Sequence, residues 1–138
     1  MRVVIDTNVL VSALLSSTSP PAELVALWRE GRFTLLTAAP QLEELTRVTR
    51  YPRLRARLSP ALAGRLVNEL RDLAETVDKL PLVDVSPDPY DNYLLAIASG
   101  GRASSLITGD KRDLLSLKKH EGTLIVTVSA FLATLRQR

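Results

Sequence analysis

The stretch RVVIDTNVLVSALL, residues 2–15, decides the fold class of this 138-residue chain. Residues 2–5 form a short, mostly β-branched run, which is typical of a strand buried on both faces. Asp6 follows at once, where a charge is partly buried and costly unless it is paired or bound to a metal ion. Val9 to Leu15 then predict a short helix. The stretch therefore predicts a strand, an acidic residue at its carboxyl end and a helix, which is how an α/β unit begins.

Signals for strands and helices alternate along the rest of the chain. Apolar runs predict strands at residues 33–36, 83–85, 106–108 and 124–128. Helices are predicted from Pro20, Pro40, Pro60, Pro89 and Asp113, with Gly100-Gly101 ending the fourth, and Ser129 is expected to cap a last one. This alternation predicts one α/β domain over residues 1–138, with a central, mostly parallel sheet in a three-layer α/β/α arrangement.

A stripe of apolar residues at helical spacing marks one side of the helix predicted from Pro60. It consists of Leu62, Leu66, Leu70, Leu73 and Val77. Such a stripe is typical of a face packed against the core, and it also suits a helix seam between two copies of a chain. Core packing is the preferred interpretation, and a homodimer is kept as an alternative.

Composition excludes several classes of chemistry. The chain has no cysteine and one histidine, which rules out disulfides, thiol nucleophiles and Cys-ligated zinc and argues against a Ser-His-Asp triad. His120 lies in a polar, basic stretch and is expected to be solvent-exposed. Asp6 and Asn8 interrupt the first apolar run, so neither a signal peptide nor a membrane span is predicted, and a cytoplasmic location is expected.

Positive charge is concentrated in one part of the chain, although the net charge is only +3. Between Glu44 and Glu69 there are six arginines and no acidic residue: Arg47, Arg50, Arg53, Arg55, Arg57 and Arg65. A charged run is usually a solvated face. Arginine guanidinium groups also match phosphate oxygens, so this segment is a candidate surface for a nucleic-acid backbone.

Two acidic residues follow predicted strands, and in an open α/β sheet the ligand site lies beyond these carboxyl ends. Asp6 follows residues 2–5, and Asp110 follows residues 106–108 after one glycine. Asn8 lies two residues beyond Asp6, and in an extended segment it points to the same side. Its amide can bind a metal ion or orient a water molecule without adding charge.

Other acidic residues lie on predicted helices. Glu44 is one turn from the apolar Val48, whereas its neighbour Glu43 is more easily read as solvated. Asp88 before Pro89 suits a helix cap with Asp91 as its capping-box partner, but Asp91 also precedes an apolar face and can point inward. Asp113 is expected to cap the short helix that begins there.

Four carboxylates from separate segments can thus converge on one site: Asp6, Glu44, Asp91 and Asp110. Crowded carboxylates repel one another unless a cation neutralises them. Oxygen ligands without cysteine or histidine favour Mg²⁺ or Mn²⁺ over Zn²⁺. The sequence therefore predicts a pocket for one or two divalent metal ions.

The order of four short blocks resembles the PIN domain, and the resemblance covers essentially the whole chain. The blocks are VVIDTNVL (residues 3–10), LEEL (42–45), DPYDN (88–92) and ITGDKRDLL (107–115). Within that family the chain is most similar to VapC-like toxin components of toxin–antitoxin systems. The resemblance implies a metal-dependent nuclease acting on single-stranded RNA, with the first and fourth strands adjacent at the centre of the sheet. It also implies an antitoxin protein as a candidate partner.

The resemblance also implies roles for individual residues. Asp6, Glu44, Asp91 and Asp110 correspond to the acidic quartet, with Asp6, Asp91 and Asp110 as metal ligands. Asn8, Thr108, Asp88 and Asp113 are expected to be supporting residues. The RNA backbone is expected to contact Arg47, Arg50, Arg53, Arg55, Arg57, Lys111 and Arg112.

Two other readings of the sequence remain. A phosphatase-like enzyme with Asp6 as the nucleophile generally needs a second aspartate two residues later, where this chain has Asn8. A receiver-like or RNA-binding domain without catalysis would keep the acidic residues as a structural cluster.

Overall fold

Six strands and eight helices are seen in the computed structural model, which describes residues 1–109 and 112–137. The strands are β1 (Arg2–Ile5), β2 (Thr34–Thr37), β3 (Glu75–Thr76), β4 (Ser105–Thr108), β5 (Lys119–His120) and β6 (Thr123–Thr127). The helices are α1 (Thr7–Leu15), α2 (Pro20–Arg29), α3 (Ala39–Val48), α4 (Pro52–Arg55), α5 (Pro60–Leu73), α6 (Pro89–Gly101), α7 (Arg112–Leu115) and α8 (Val128–Arg136). Asp110 and Lys111 lie outside the described residues, and so do the predictions made for them.

The strands form one sheet in the order β3-β2-β1-β4-β6-β5. All neighbouring strands are parallel except β5 and β6, which are antiparallel. The predicted mostly parallel sheet and the central pairing of β1 with β4 are therefore confirmed. The chain winds outward in opposite directions from β1 and β4, so the gap beyond their carboxyl ends is the topological switch point.

Alternating side chains of the central strands divide the core into two layers. Val3 and Ile5 pack with buried residues of α1, α2, α3, α5 and α8 on one face of the sheet. Val4 and Leu106 pack on the other face, mainly against α6. Both faces of β1 and β4 are covered, which explains why these strands are continuous apolar runs.

Three predicted elements differ from the structure. Residues 83–85 form no strand, and the segment is poorly buried: Val85 is 51% exposed, and Leu82, just before the segment, is fully exposed. The third strand is instead Glu75–Thr76, two polar residues that no hydrophobic pattern indicates. The last helix is capped by Thr127, whose side chain accepts a hydrogen bond from the Ala130 N–H, and not by Ser129.

The apolar stripe of α5 is also only partly buried. Leu66 and Leu70 are in the core, but Leu62 and Leu73 are 50% and 65% exposed. The helix ends at Leu73, so Val77 is not part of its face. The buried side is completed by Ala63 and Val67, each one residue after a member of the predicted stripe.

His120 is not solvent-exposed, because it lies on β5, an edge strand that the sequence pattern did not indicate. Its side chain is 14% exposed, and its Nε2 lies 3.6 Å from a carboxylate oxygen of Glu121. The stretch around His120 is polar, but backbone pairing with β6 turns this side chain toward the protein.

No single helix among the described residues is long and apolar enough to cross a membrane. Taken as a pair, helices α1 and α2 would be long and apolar enough by length and composition only, and they meet at an angle of 101°. Both carry buried core residues, including Leu10, Leu24 and Trp28.

Gly101 is required by close packing of α6 on the sheet. A Cβ atom there would lie 2.7 Å from Leu36 Cδ1 and 2.9 Å from Val77 Cγ2, both on buried side chains. The helix does end at Gly101 as predicted, but Arg102 rather than a glycine adopts the left-handed conformation, at φ 56°. Gly101 is thus needed for the close approach of α6 to Leu36 and Val77, and not for the left-handed turn that ends the helix.

We expect Gly101→Ala to destabilise the fold by about 1–3 kcal/mol, because it overpacks a filled core. Gly64→Ala is the matched control, since Gly64 lies within α5 and a Cβ there meets nothing within 4 Å. It should stabilise the helix by about 0.5–1 kcal/mol. Urea unfolding of both variants measures the difference, and shifts of the same sign would contradict this packing.

Candidate active site

Asp6 is the buried centre of the site. Its side chain is 1% exposed, and its backbone N–H donates to the Ile107 carbonyl of β4 at 2.8 Å. It is the N-cap of α1, where Oδ1 accepts a hydrogen bond from the Asn8 N–H at 3.0 Å. Pairing of β1 with β4 therefore fixes the backbone of Asp6, while the start of α1 fixes its carboxylate.

Two hydroxyl groups complete the hydrogen bonds of the Asp6 carboxylate. Tyr90 donates to Oδ1 at 2.6 Å, and Thr108 donates to Oδ2 at 2.9 Å. Tyr90 also accepts the Thr7 N–H at 3.1 Å. A carboxylate has about four acceptor positions, and described residues use three of them, two on Oδ1 and one on Oδ2. Within residues 1–109 and 112–137, one acceptor position on Oδ2 is therefore unused, which suits a further ligand.

The structure places Thr108 in direct contact with Asp6, as expected of a supporting residue. Asn8 differs from its prediction. It is exposed and lies in the first turn of α1, so the assumption of an extended segment was wrong. Its backbone N–H, rather than its side-chain amide, contacts Asp6.

Asp91 brings a second buried carboxylate to this end of the sheet. It is 0% exposed in the first turn of α6, and its Oδ2 accepts a hydrogen bond from the Ser86 hydroxyl at 3.0 Å. The predicted capping box is wrong, because the Asp88 N–H donates to Ser86 Oγ at 3.3 Å. Asp88 is the N-cap as predicted, accepting from the Tyr90 N–H at 2.9 Å. Asp91 is therefore directed inward rather than used to cap its helix.

We call the site around Asp6 and Asp91 the acid pocket. Glu44 lies on the side of α3 that faces this pocket. It is half-buried, whereas Glu43 is exposed. Burial is the main cause that raises the pKa of Tyr90, and the negative charges of Asp6 and, to a lesser extent, Glu44 add to it. The pKa of Tyr93 is raised by burial and then by the charge of Glu44. Both phenols are therefore neutral at physiological pH, and Tyr90 remains a hydrogen-bond donor.

Two of the remaining predicted residues, Asp113 and Arg112, lie at the surface on α7. Asp113 is exposed in the first turn of α7 and is not a helix cap. Arg112 is exposed at the start of the same helix. Asp110, the fourth predicted acidic residue, and Lys111 are outside the described residues.

Sequence reasoning missed three residues of the site: Tyr90, Ser86 and Gln41. Gln41 is 1% exposed; its amide donates to the Ile5 carbonyl at 2.7 Å and its Oε1 accepts from the Thr37 hydroxyl at the same distance. It satisfies the carbonyl at the end of β1, just before Asp6. The only sequence signal for Gln41 was a polar residue directly before the apolar side of α3 that runs from Leu42 to Val48, and such a signal is weak.

The donor chemistry fits a hard divalent cation. Asp6 and Asp91 are almost fully buried, and the pocket around them is made of carboxylate and hydroxyl oxygens. Buried carboxylates are stable only when their charge is neutralised or well hydrogen-bonded. Within residues 1–109 and 112–137, no three acidic, histidine or cysteine side chains lie close enough to hold a metal ion on their own.

The parallel α/β layers place the acid pocket at the topological switch point, where open α/β sheets bind their ligands. Residues 2–112 match the sequence profile of the PIN domain, and the chain belongs to the PIN domain family. Members of this family are generally nucleases that typically use divalent metals. The chain is 29% identical over 119 residues to an uncharacterized protein, MJ1680, of Methanocaldococcus jannaschii, covering 86% of this chain and 76% of that protein. No solved structure matches it significantly.

Tyr90→Phe should destabilise the metal-free protein by about 1–3 kcal/mol, because it leaves the buried Thr7 N–H unsatisfied and removes a hydrogen bond to a carboxylate. Tyr93→Phe is the matched control. The Tyr93 hydroxyl is buried beside Thr7, and no described residue forms a hydrogen bond of good geometry with it. Urea unfolding in EDTA measures both variants, and equal losses would contradict the role given to Tyr90.

Proposed function

We propose that this protein is a Mg²⁺- or Mn²⁺-dependent endoribonuclease that hydrolyses phosphodiester bonds of single-stranded RNA. The single observation that carries the proposal is the acid pocket at the switch point, where Asp6 and Asp91 are buried on elements that meet through Tyr90. Membership of the PIN domain family supports nuclease activity in general. The choice of RNA follows the general behaviour of the family.

Asp6, Asp91 and Asp110 are the proposed metal ligands. When bound, divalent metal lowers the pKa of water and stabilises negative charge on the phosphodiester oxygens. Tyr90, Thr108 and the Asn8 N–H hold the Asp6 carboxylate in one orientation before metal or RNA binds. Such preorganisation lowers the cost of assembling the site.

Glu44 is the proposed residue that orients the attacking water. It is half-buried, on a different element from Asp6 and Asp91, and close enough to Tyr90 and Tyr93 to raise the pKa of each. A carboxylate in that position can accept a proton from water. Asp88 supports the site indirectly by beginning α6 and thus positioning Asp91.

The test is cleavage of a fluorescently labelled single-stranded RNA by metal-stripped protein to which Mg²⁺, Mn²⁺, Ca²⁺ or EDTA is added. We expect cleavage with Mg²⁺ or Mn²⁺ and none in EDTA. Tight RNA binding without cleavage in any divalent metal would instead support a binding domain. Trapping of an acyl phosphate at Asp6 would support the phosphatase interpretation.

The toxin role within a toxin–antitoxin pair is a further part of the proposal. It rests on the VapC-like resemblance of the four sequence blocks. Induced expression of the wild type should arrest bacterial growth, whereas the Asp6→Asn variant should not. RNA cleavage by the wild type is checked in extracts of the same cells. If the wild type cleaves RNA there but neither protein affects growth, the result would indicate an RNA-processing enzyme instead.

A further inference from the structure

A cleft between α3, α4 and α5 is lined by arginine side chains. It consists of two adjoining cavities of about 300 and 580 Å³. Arg50 and Arg71 line both cavities, Arg55 lines the first, and Arg47 lines the second. We call these four residues and the space between them the arginine cleft.

The arginines of this cleft form no ion pair with any acidic residue that the structure describes. Within the described part of the chain, Arg47, Arg50 and Arg55 form no side-chain hydrogen bond or ion pair, and Arg71 bonds only the neutral Asn68, at 3.1 Å. The other arginines with side-chain partners behave differently. Glutamates pair with Arg2, Arg29, Arg65 and Arg136.

The charge of the cleft equals that of the whole chain. Four arginines and one acidic residue, Glu43, line the two cavities, which gives a net +3, the same as the formal charge of all 138 residues. Guanidinium groups that outnumber the acids around them repel one another, and an anion relieves that repulsion. The cleft is thus suited to an anionic ligand.

An aromatic ring at the rim favours nucleic acid over an acidic peptide. Tyr51 lines the second cavity and is 43% exposed. Exposed aromatic rings beside basic grooves stack on the bases of single strands, whereas a carboxylate-rich peptide gains little from such a ring. Arg47 lies one turn along α3 from Glu44, so the same helix carries a residue of the cleft and a residue beside the acid pocket.

We propose that the arginine cleft is a backbone-binding site for single-stranded RNA, with Tyr51 as a stacking surface for one base. This proposal rests on the proposed ribonuclease function and adds the site that holds the strand outside the acid pocket. It also divides the arginine-rich segment. Arg53 and Arg57, for which the resemblance implied RNA contacts, are exposed but line neither cavity, so the proposed site leaves them out.

The test is RNA binding by the Asp6→Asn variant in EDTA, where cleavage is blocked. Fluorescence anisotropy of a labelled single-stranded RNA is measured over a range of salt concentrations. Adding Arg50→Ala and Arg55→Ala should weaken binding at least about tenfold and lower the salt slope by about 1.4, at ~0.7 per lost phosphate contact. Adding Arg53→Ala and Arg57→Ala, the control with the same loss of charge, should leave the slope unchanged.

A second variant tests the ring. Tyr51→Leu should weaken RNA binding about tenfold and leave binding of inorganic polyphosphate unchanged. Circular dichroism checks that each variant is folded. We expect all of them to fold, because the replaced arginine and tyrosine side chains are exposed and unpaired among the described residues.

Equal slopes in the two double variants would overturn the proposal. Binding of polyglutamate but not of RNA to the cleft would also overturn it and would indicate an acidic protein partner.

The wild type is assayed for cleavage in parallel. If it fails to cleave while the binding results hold, the nuclease function fails and the cleft stands.

Discussion

Asp6→Asn is expected to reduce RNA cleavage by about a thousandfold, which corresponds to a loss of ~4 kcal/mol of transition-state stabilisation. The substitution removes one negative charge from a buried ligand and leaves its shape unchanged. Asn retains one oxygen for the hydrogen bonds from Tyr90 and the Asn8 N–H. The fold should therefore survive, and the loss should be chemical. Initial rates with saturating Mn²⁺ measure the effect.

The matched control for this variant is Asn8→Ala. Asn8 is next but one to Asp6 and is exposed, and the contact that it makes with Asp6 is through its backbone. Cleavage should stay close to the wild-type rate. A loss in Asn8→Ala as large as that in Asp6→Asn would mean that the side-chain amide is part of the machinery after all.

Asp91→Asn is expected to lower cleavage by about a hundredfold and to raise the metal concentration needed for half-maximal activity, because metal sites depend on the charge of each ligand. Asp91 is fully buried, and the variant keeps an oxygen for the Ser86 hydroxyl. Titrating the metal while cleavage is followed measures both the maximal rate and the metal concentration for half-maximal activity. If Asp91 binds metal directly, that concentration should change more than the rate.

Asp113→Asn is the control for Asp91→Asn. Asp113 is a supporting residue by resemblance, but its side chain is exposed on α7. Its cleavage and its metal requirement should match those of the wild type. If the two variants lose activity equally, the burial of Asp91 has no bearing on function.

The sequence was sufficient to predict the centre of the fold and the position of Asp6 at the carboxyl end of the central strand β1. Residues 2–5 are apolar without alternation because both faces of β1 are covered, so their hydrophobicity reveals the central strand. Asp6 stands out because a charge directly after such a strand needs a reason. The choice of Glu44 over Glu43 followed helical phase, and their burial agrees with it.

The missed features depend on contacts between distant parts of the chain. Tyr90 reaches Asp6 across 84 positions, and only the packing of α6 beside β1 brings them together. Edge strands β3 and β5 have two residues each, which is too short for a hydrophobic period to appear. Asn8 was misplaced because a strand was assumed to continue where Asp6 begins a helix.

The central claim is that Asp6 belongs to a site for divalent metal, and direct binding tests it without reference to cleavage. Electron paramagnetic resonance of free Mn²⁺ is measured as metal-stripped wild type, Asp6→Asn and Asp113→Asn are titrated. The wild type and Asp113→Asn should bind Mn²⁺ alike, and Asp6→Asn should bind it far more weakly. Equal Mn²⁺ binding by all three proteins would contradict the claim.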